Sequence, residues 1–291
     1  MGRRSVWRQR AAWVPAAAAL GIARALPWRA RIAFGGWLGR RLVTGVPKFR
    51  RRVEANLAYV LPELDAPARA RIAAEAGETF GRTFVEIFSM AEFKARRPWG
   101  EAQGPGLQAA REAQAEGRPV LLVTGHFGQW EAGRAAAAEA LGREVAGVYR
   151  PLNNPYLDAP YVRELELGGR PMFPKGPAGL RGLLGHLAKG GAVAMLVDQY
   201  DRRAPLLDFL GRPAPSLTLA ADLALRTRAA LIPGYGLRAA DGLTMQVTLE
   251  APIPHTTAPE MTQALNDSLA AQVRAHPGQY FWLHRRWRKD L

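Results

Sequence analysis

His126-Phe127-Gly128-Gln129-Trp130-Glu131 holds the pair of side chains in this sequence best suited to acid–base chemistry. The run before it, Pro119 to Val123, is wholly apolar and reads as a fully buried strand, which Thr124-Gly125 breaks. From Ala132 the chain turns Ala-rich, and Arg134 to Leu141 reads as a helix. The histidine therefore falls at a strand-to-helix turn, where α/β sheets place catalytic groups. Residues five apart on one continuous helix are separated by roughly 140° about its axis and do not touch. With His126 in the turn and Glu131 in the first helical turn, the imidazole can fold back onto the carboxylate. Glu131 would then hold the proton on one ring nitrogen and leave the other to take a proton from a hydroxyl. A histidine that merely caps a helix beside an acid satisfies the same spacing.

The other histidines offer less. His186 lies in an Ala/Leu helix, His255 in a Pro-rich loop, His276 at a helix end that favours a cation, and His284 in a basic tail. There is no Gly-x-Ser-x-Gly elbow for a serine nucleophile. With no cysteine there is no disulfide or thiolate, and no His-Glu-x-x-His or His/Asp cluster suggests zinc, so no metal or cofactor is expected. What remains is a base that activates a substrate's hydroxyl directly, without a covalent enzyme intermediate. Such help is worth about 10²–10⁴-fold, so positioning and oxyanion stabilisation must add the rest. Backbone N–H groups at the helix start after Gly128 are the candidate oxyanion donors.

The elements that must position these groups alternate between strand and helix. Strands are expected over Glu144–Tyr149, Pro171–Pro174, Ala192–Val197 and Ala230–Gly236, with an edge or antiparallel strand over Leu243–Leu249. Helices are expected over Lys48–Val60, Ala66–Met90, Pro155–Leu167, Leu180–Lys189, Ser216–Thr227 and Pro259–Ala275. The expectation is an α/β fold with a mostly parallel central sheet flanked by helices. Arg150 just past the second strand could grip a phosphate with its planar fork, or make a surface ion pair. Asp198-Gln199 ends another strand at the edge where open sheets bind ligands; alone, Asp198 could be a cap or a metal ligand.

A net charge of +15 over 291 residues calls for an acidic partner: nucleic acid, anionic lipid or an acidic carrier protein. The cations are spread among acids and no nucleic-acid fold signature appears, so nucleic acid is set aside. Residues 1–45 form a separate segment before a domain over 46–291. Trp7, Trp13, Trp28 and Trp37 all fall in this segment, and Arg3, Arg4, Arg8 and Arg10 precede an uncharged run, Ala11–Ala23, that Arg24, Arg29 and Arg31 follow. Those 13 residues fall short of the roughly 20 that span a bilayer, so a helix lying in the interface is expected. Phe84 and Phe88 read as core, and could equally face a bound apolar chain. The tail from Gln279 to Lys289 mixes aromatics and cations, which suits a lipid interface or a carrier-docking face.

The blocks HFGQWE, VYRPLNNP at 148–155, LVDQ at 196–199, IP at 232–233 and PGQYFWLHRRW at 277–287 together resemble the bacterial lipid A biosynthesis acyltransferases, of the lauroyl/myristoyl type. These sit within the wider glycerolipid acyltransferase superfamily marked by His-x4-Asp/Glu. The similarity runs in order from about Arg51 to the end. It implies transfer of a fatty acyl group from an acyl carrier protein thioester to a hydroxyl of a lipid A precursor, at the cytoplasmic face of the inner membrane. It makes His126 the base and Glu131 its partner, with Gly128, Arg150, Asp198 and Gln199 at the substrate site. Where the family most often has Asn, this chain has Gln129. Another lipid hydroxyl as acceptor, or a non-enzymatic basic membrane- or nucleic-acid-binding protein, are the competing readings.

Overall fold

The computed structural model describes residues 14–287 except Ala16 and Asn153. After a helical segment at 17–25 come four helices: α1 (Trp28–Gly45), α2 (Pro47–Val60), α3 (Ala66–Ile87) and α4 (Met90–Arg96). Then α5 (Pro105–Ala115) leads into β1 (Val120–Thr124), α6 (Trp130–Leu141), β2 (Val145–Tyr149), α7 (Pro155–Gly168), β3 (Met172–Pro174), α8 (Pro177–Leu187) and β4 (Ala192–Leu196). A hairpin of β5 (Leu206–Phe209) and β6 (Arg212–Pro215) precedes α9 (Leu219–Thr227), β7 (Ala230–Arg238), β8 (Met245–Leu249) and α10 (Ala258–Ala275). The six-stranded sheet runs β3-β2-β4-β1-β7-β8, parallel except for β8 against β7.

β1 is buried along its whole length, and apolar up to Thr124, because both its faces are covered, as in any parallel sheet clad by helices. Leu121 and Val123 pack with Leu183, Leu223, Met261 and Leu265 from α8, α9 and α10. Val120 and Leu122 pack on the other face with Ala110, Ala113, Ala137 and Leu141 from α5 and α6. Helix starts follow capping rules: Asp65 accepts from the Ala68 N–H, and Thr257 with Glu260 forms a capping box.

The expected mostly parallel α/β sheet is therefore present. Among the described residues no helix is long and apolar enough to cross a membrane. Trp7, Trp13 and the first arginines of the anticipated interfacial segment lie outside the described residues. Trp28–Gly45 is built into the fold, its Gly35 and Gly39 lying against Gly77 and Gly81 of α3.

Candidate active site

β1 and β4 are parallel neighbours with Thr124 opposite Leu196. Two residues further along each strand stand His126 and Asp198, so the register itself brings them together. The His126 ring shares a 2.7 Å hydrogen bond between Nδ1 and Asp198 Oδ1, and its backbone N–H donates to Oδ2 at 2.9 Å. Asp198 is fully buried. Burial alone would raise its pKa, but the charge and hydrogen bonds of His126, with His284 nearby, outweigh it and hold the carboxyl well below the usual range. The bond to an ionised acid fixes the proton on Nδ1 and leaves Nε2, which makes no hydrogen bond among the described residues, as the basic nitrogen.

The turn that carries His126 is held from three sides. Gly128 (φ 55°) sits against the Gly236 carbonyl, where a Cβ would collide, and its own carbonyl accepts from Thr83 Oγ1 at 3.0 Å. Gln129 is buried, caps α6 by accepting from the Glu131 N–H at 3.1 Å, and donates to Glu86 Oε2 at 2.6 Å. Glu86 in turn pairs with buried Arg238. The longer Gln129 thus reaches a buried carboxylate while its backbone N–H donates to Gly236 O. From the C-terminal side, Phe281 N–H donates to the His126 carbonyl and Gly128 N–H to the Gln279 carbonyl. The rings of Trp130, Phe281 and His284 surround the imidazole at centroid distances of 5.2, 6.0 and 4.5 Å.

The expected pairing of His126 with Glu131 is absent. Glu131 Oε2 accepts from Arg134 Nε at 2.8 Å and Nη2 at 2.5 Å, one helical turn on, and both side chains are buried. Arg134 also donates to the carbonyls of Val145, Leu165 and Gly169, tying α6 to β2 and α7. Because α6 begins at Trp130, Glu131 is already helical and shares a face with its i+3 neighbour rather than with the preceding turn. The anticipated oxyanion donors are also largely committed. The N–H groups of Gly128, Gln129, Glu131 and Ala132 all have partners within the fold; that of Trp130 has none among the described residues.

His126, Trp130, Glu131 and Arg134 line a cavity of about 370 Å³ whose remaining wall is mainly apolar, including Tyr161, Leu165, Met172 and Met195. That is within the size range of small-molecule pockets. Burial first, then the nearby Glu131 charge, pushes the Tyr161 phenol far above its ordinary value, so it stays neutral. Arg150 and Gln199 stand on the wall of the same cavity, whereas Gly128 lies behind the turn. Phe84 and Phe88 do not line it; Phe88 is core.

The tail is a second correction. Tyr280, Trp282, Arg286 and Trp287 are buried, and the Arg286 guanidinium donates to Pro215 O, Ser216 Oγ and Asn266 Oδ1. Aromatics and a cation so disposed form core, not an exposed docking strip; residues 288–291 lie outside the described residues. His284, passed over in the basic tail, is thereby carried to His126. Burial, then the His126 charge, lowers its pKa from 6.5 to about 4, so it is neutral.

The profile of the family described as bacterial lipid A biosynthesis acyltransferase matches residues 3–289. The lipid A biosynthesis lauroyltransferase of Escherichia coli (strain K12) is 28% identical over 272 residues, covering 90% of this chain and 87% of its own. The palmitoleoyltransferase of the same strain is 28% identical over 264 residues, 87% and 84% of the two chains. A phosphatidylinositol mannoside acyltransferase of Mycobacterium tuberculosis (strain ATCC 25618 / H37Rv) is 28% identical over 309 residues, 99% and 92%. With a match running almost end to end, this chain belongs to the bacterial lipid A biosynthesis acyltransferase family and is an acyltransferase of the lipid A and glycolipid type.

Proposed function

We propose that the protein transfers a fatty acyl chain from an acyl carrier protein thioester to a hydroxyl of a lipid A precursor, with His126 as general base and Asp198 as its partner. The observation that carries this reading is the His126–Asp198 pair at the wall of an apolar cavity large enough for an acyl chain. His126 Nε2 takes the acceptor's hydroxyl proton as that oxygen attacks the thioester carbonyl carbon. The tetrahedral oxyanion forms beside the Trp130 N–H, the C–S bond breaks, and the imidazolium returns its proton to the departing thiolate. Asp198, ionised and dry, stabilises the imidazolium during that interval. Glu131 and Arg134 shape the cavity wall, and Arg150 and Gln199 meet the polar end of a substrate, Arg150 as a fork for phosphate.

The relatives named for phosphatidylinositol mannoside support a second acceptor class, another glycolipid hydroxyl, reached by the same chemistry. The enzyme works at the cytoplasmic face of the inner membrane, where both lipid acceptor and carrier-borne donor are available. The test pairs a lauroyl carrier protein with a phosphorylated, acylated glucosamine disaccharide, then with a mannosylated phosphoinositide, and follows ester formation by mass spectrometry. His126→Ala should lose about 10²–10⁴-fold in rate. Wild-type activity in that variant, or no transfer to either acceptor, would refute the assignment.

A further inference from the structure

We propose that His126, Asp198 and His284 form a reversible site for a d-block divalent cation of the Zn²⁺ class, and that its occupation switches the transferase off. One ligand atom from each residue lies within 4.8 Å of the other two. Atoms bound to one zinc at about 2.0–2.2 Å are at most about 4.4 Å apart, so small side-chain rotations close the site. An independent observation points the same way: His284 Nε2 is buried and has no hydrogen-bond partner among the described residues. By contrast, the ring nitrogens Nε2 of His186 and His255 are engaged by the carbonyls of Ala192 and Ala229. A buried unpaired imidazole nitrogen carries a desolvation cost that a metal bond would offset.

Two imidazoles and one carboxylate suit zinc, copper or nickel, and suit magnesium or calcium poorly, since those ions want oxygen ligands. His126 borders the cavity, which gives an ion its entry. A metal shared with Asp198 takes His126 Nδ1, which faces that carboxylate, so it displaces the Nδ1 proton and breaks the hydrogen bond that orients the base; occupation and catalysis exclude each other. The inhibitory half of this proposal rests on His126 being the base; the binding half does not.

The test uses tag-free full chain in detergent, with Zn²⁺ titrated by calorimetry, Co²⁺ followed by its visible ligand-field bands, and transfer assayed in parallel. Wild type should bind one Zn²⁺ per chain at this site, lose activity as it fills, and regain it with EDTA, while Mg²⁺ at the same concentration does nothing. His284→Phe and Asp198→Asn should each weaken binding by about tenfold or more. Absence of binding, binding unchanged in both variants, or full occupancy without loss of activity would overturn the proposal. If His126→Ala binds Zn²⁺ weakly yet keeps transferase activity, the base assignment falls and the metal site stands.

Discussion

Replacing Glu131 by Gln takes away the negative charge that faces the Arg134 guanidinium inside the protein. Breaking one side of a buried ion pair costs roughly 3–5 kcal/mol, so Glu131→Gln should lower the melting temperature sharply. Assayed well below that temperature, it should keep far more activity than Asp198→Asn, whose carboxylate holds the His126 proton. Equal loss in both would return Glu131 to the proton-transfer chemistry. His284 gives a second measurement. Its pKa is lower in the fold than in the unfolded chain, so its contribution to stability is present above about 6.5 and is lost as pH falls toward about 4. At about 1.4 kcal/mol per pH unit this is roughly 3 kcal/mol. In EDTA-containing buffer, wild type should lose more stability between those pH values than His284→Phe; parallel denaturation curves would show that His284 titrates normally. The sequence showed His126 at a strand end and Asp198 at another, because both follow apolar runs. It did not show that the two strands are neighbours in register, a non-local fact, and the nearer acid at Glu131 drew the inference instead.

At the scale of elements, α1 crosses α3 on glycines. A Cβ at Gly39 would stand well inside van der Waals contact of the Gly77 carbonyl oxygen, and one at Gly81 likewise against Gly35 O. Gly39→Ala should therefore cost about 1–3 kcal/mol through forced separation of the helices. Gly21→Ala, in a helical stretch with no described atom within 4 Å of the added carbon, should be neutral or stabilise by about 0.5–1 kcal/mol. Chemical denaturation of the two variants checks the contrast; equal effects would mean the crossing has room to give. Glycines at helical spacing such as Gly35 and Gly39 weaken a helix by propensity, so the sequence alone presents them as a liability rather than as a packing surface. The buried strands were legible because β1, β4 and β7 are continuous apolar runs with glycine or polar punctuation. The β5–β6 hairpin was not, since Arg212-Pro213-Ala214-Pro215 reads as loop; prolines are tolerated there because the hairpin has no further strand to serve. The tail was misread for a related reason: local composition cannot distinguish a solvated aromatic–cation strip from one whose arginine finds three acceptors in the core.

At the scale of the whole molecule, the charge of +15 and the exposed apolar side chains at the N-terminal end suggest where the enzyme works. Ile22 is 56% and Trp37 54% exposed, with Leu42 also outward and Arg40 and Arg41 exposed beside them. Aromatic and aliphatic groups edged by arginine suit the headgroup region, where each cation adds about 1 kcal/mol against an anionic leaflet. A large apolar side chain moved from water into the acyl region adds roughly 1.5–3 kcal/mol. Ile22→Glu with Trp37→Glu should thus reduce binding to anionic phospholipid vesicles by more than about tenfold, a change of over 1.4 kcal/mol. Both positions are solvent-exposed, so the melting temperature should stay put. Leu225→Glu on α9, 37% exposed, serves as the control and should leave vesicle binding unchanged. The proposed carrier docking is separable, because it would act through charge on a soluble donor: raising ionic strength until the Debye length falls below about 10 Å should depress kcat/KM with carrier-borne acyl donor in detergent. The Glu double variant should lose activity on bilayer-embedded acceptor far more than on detergent-dispersed acceptor. If it sediments with vesicles as wild type does and acylates embedded acceptor at full rate, the bilayer does not rest on this face.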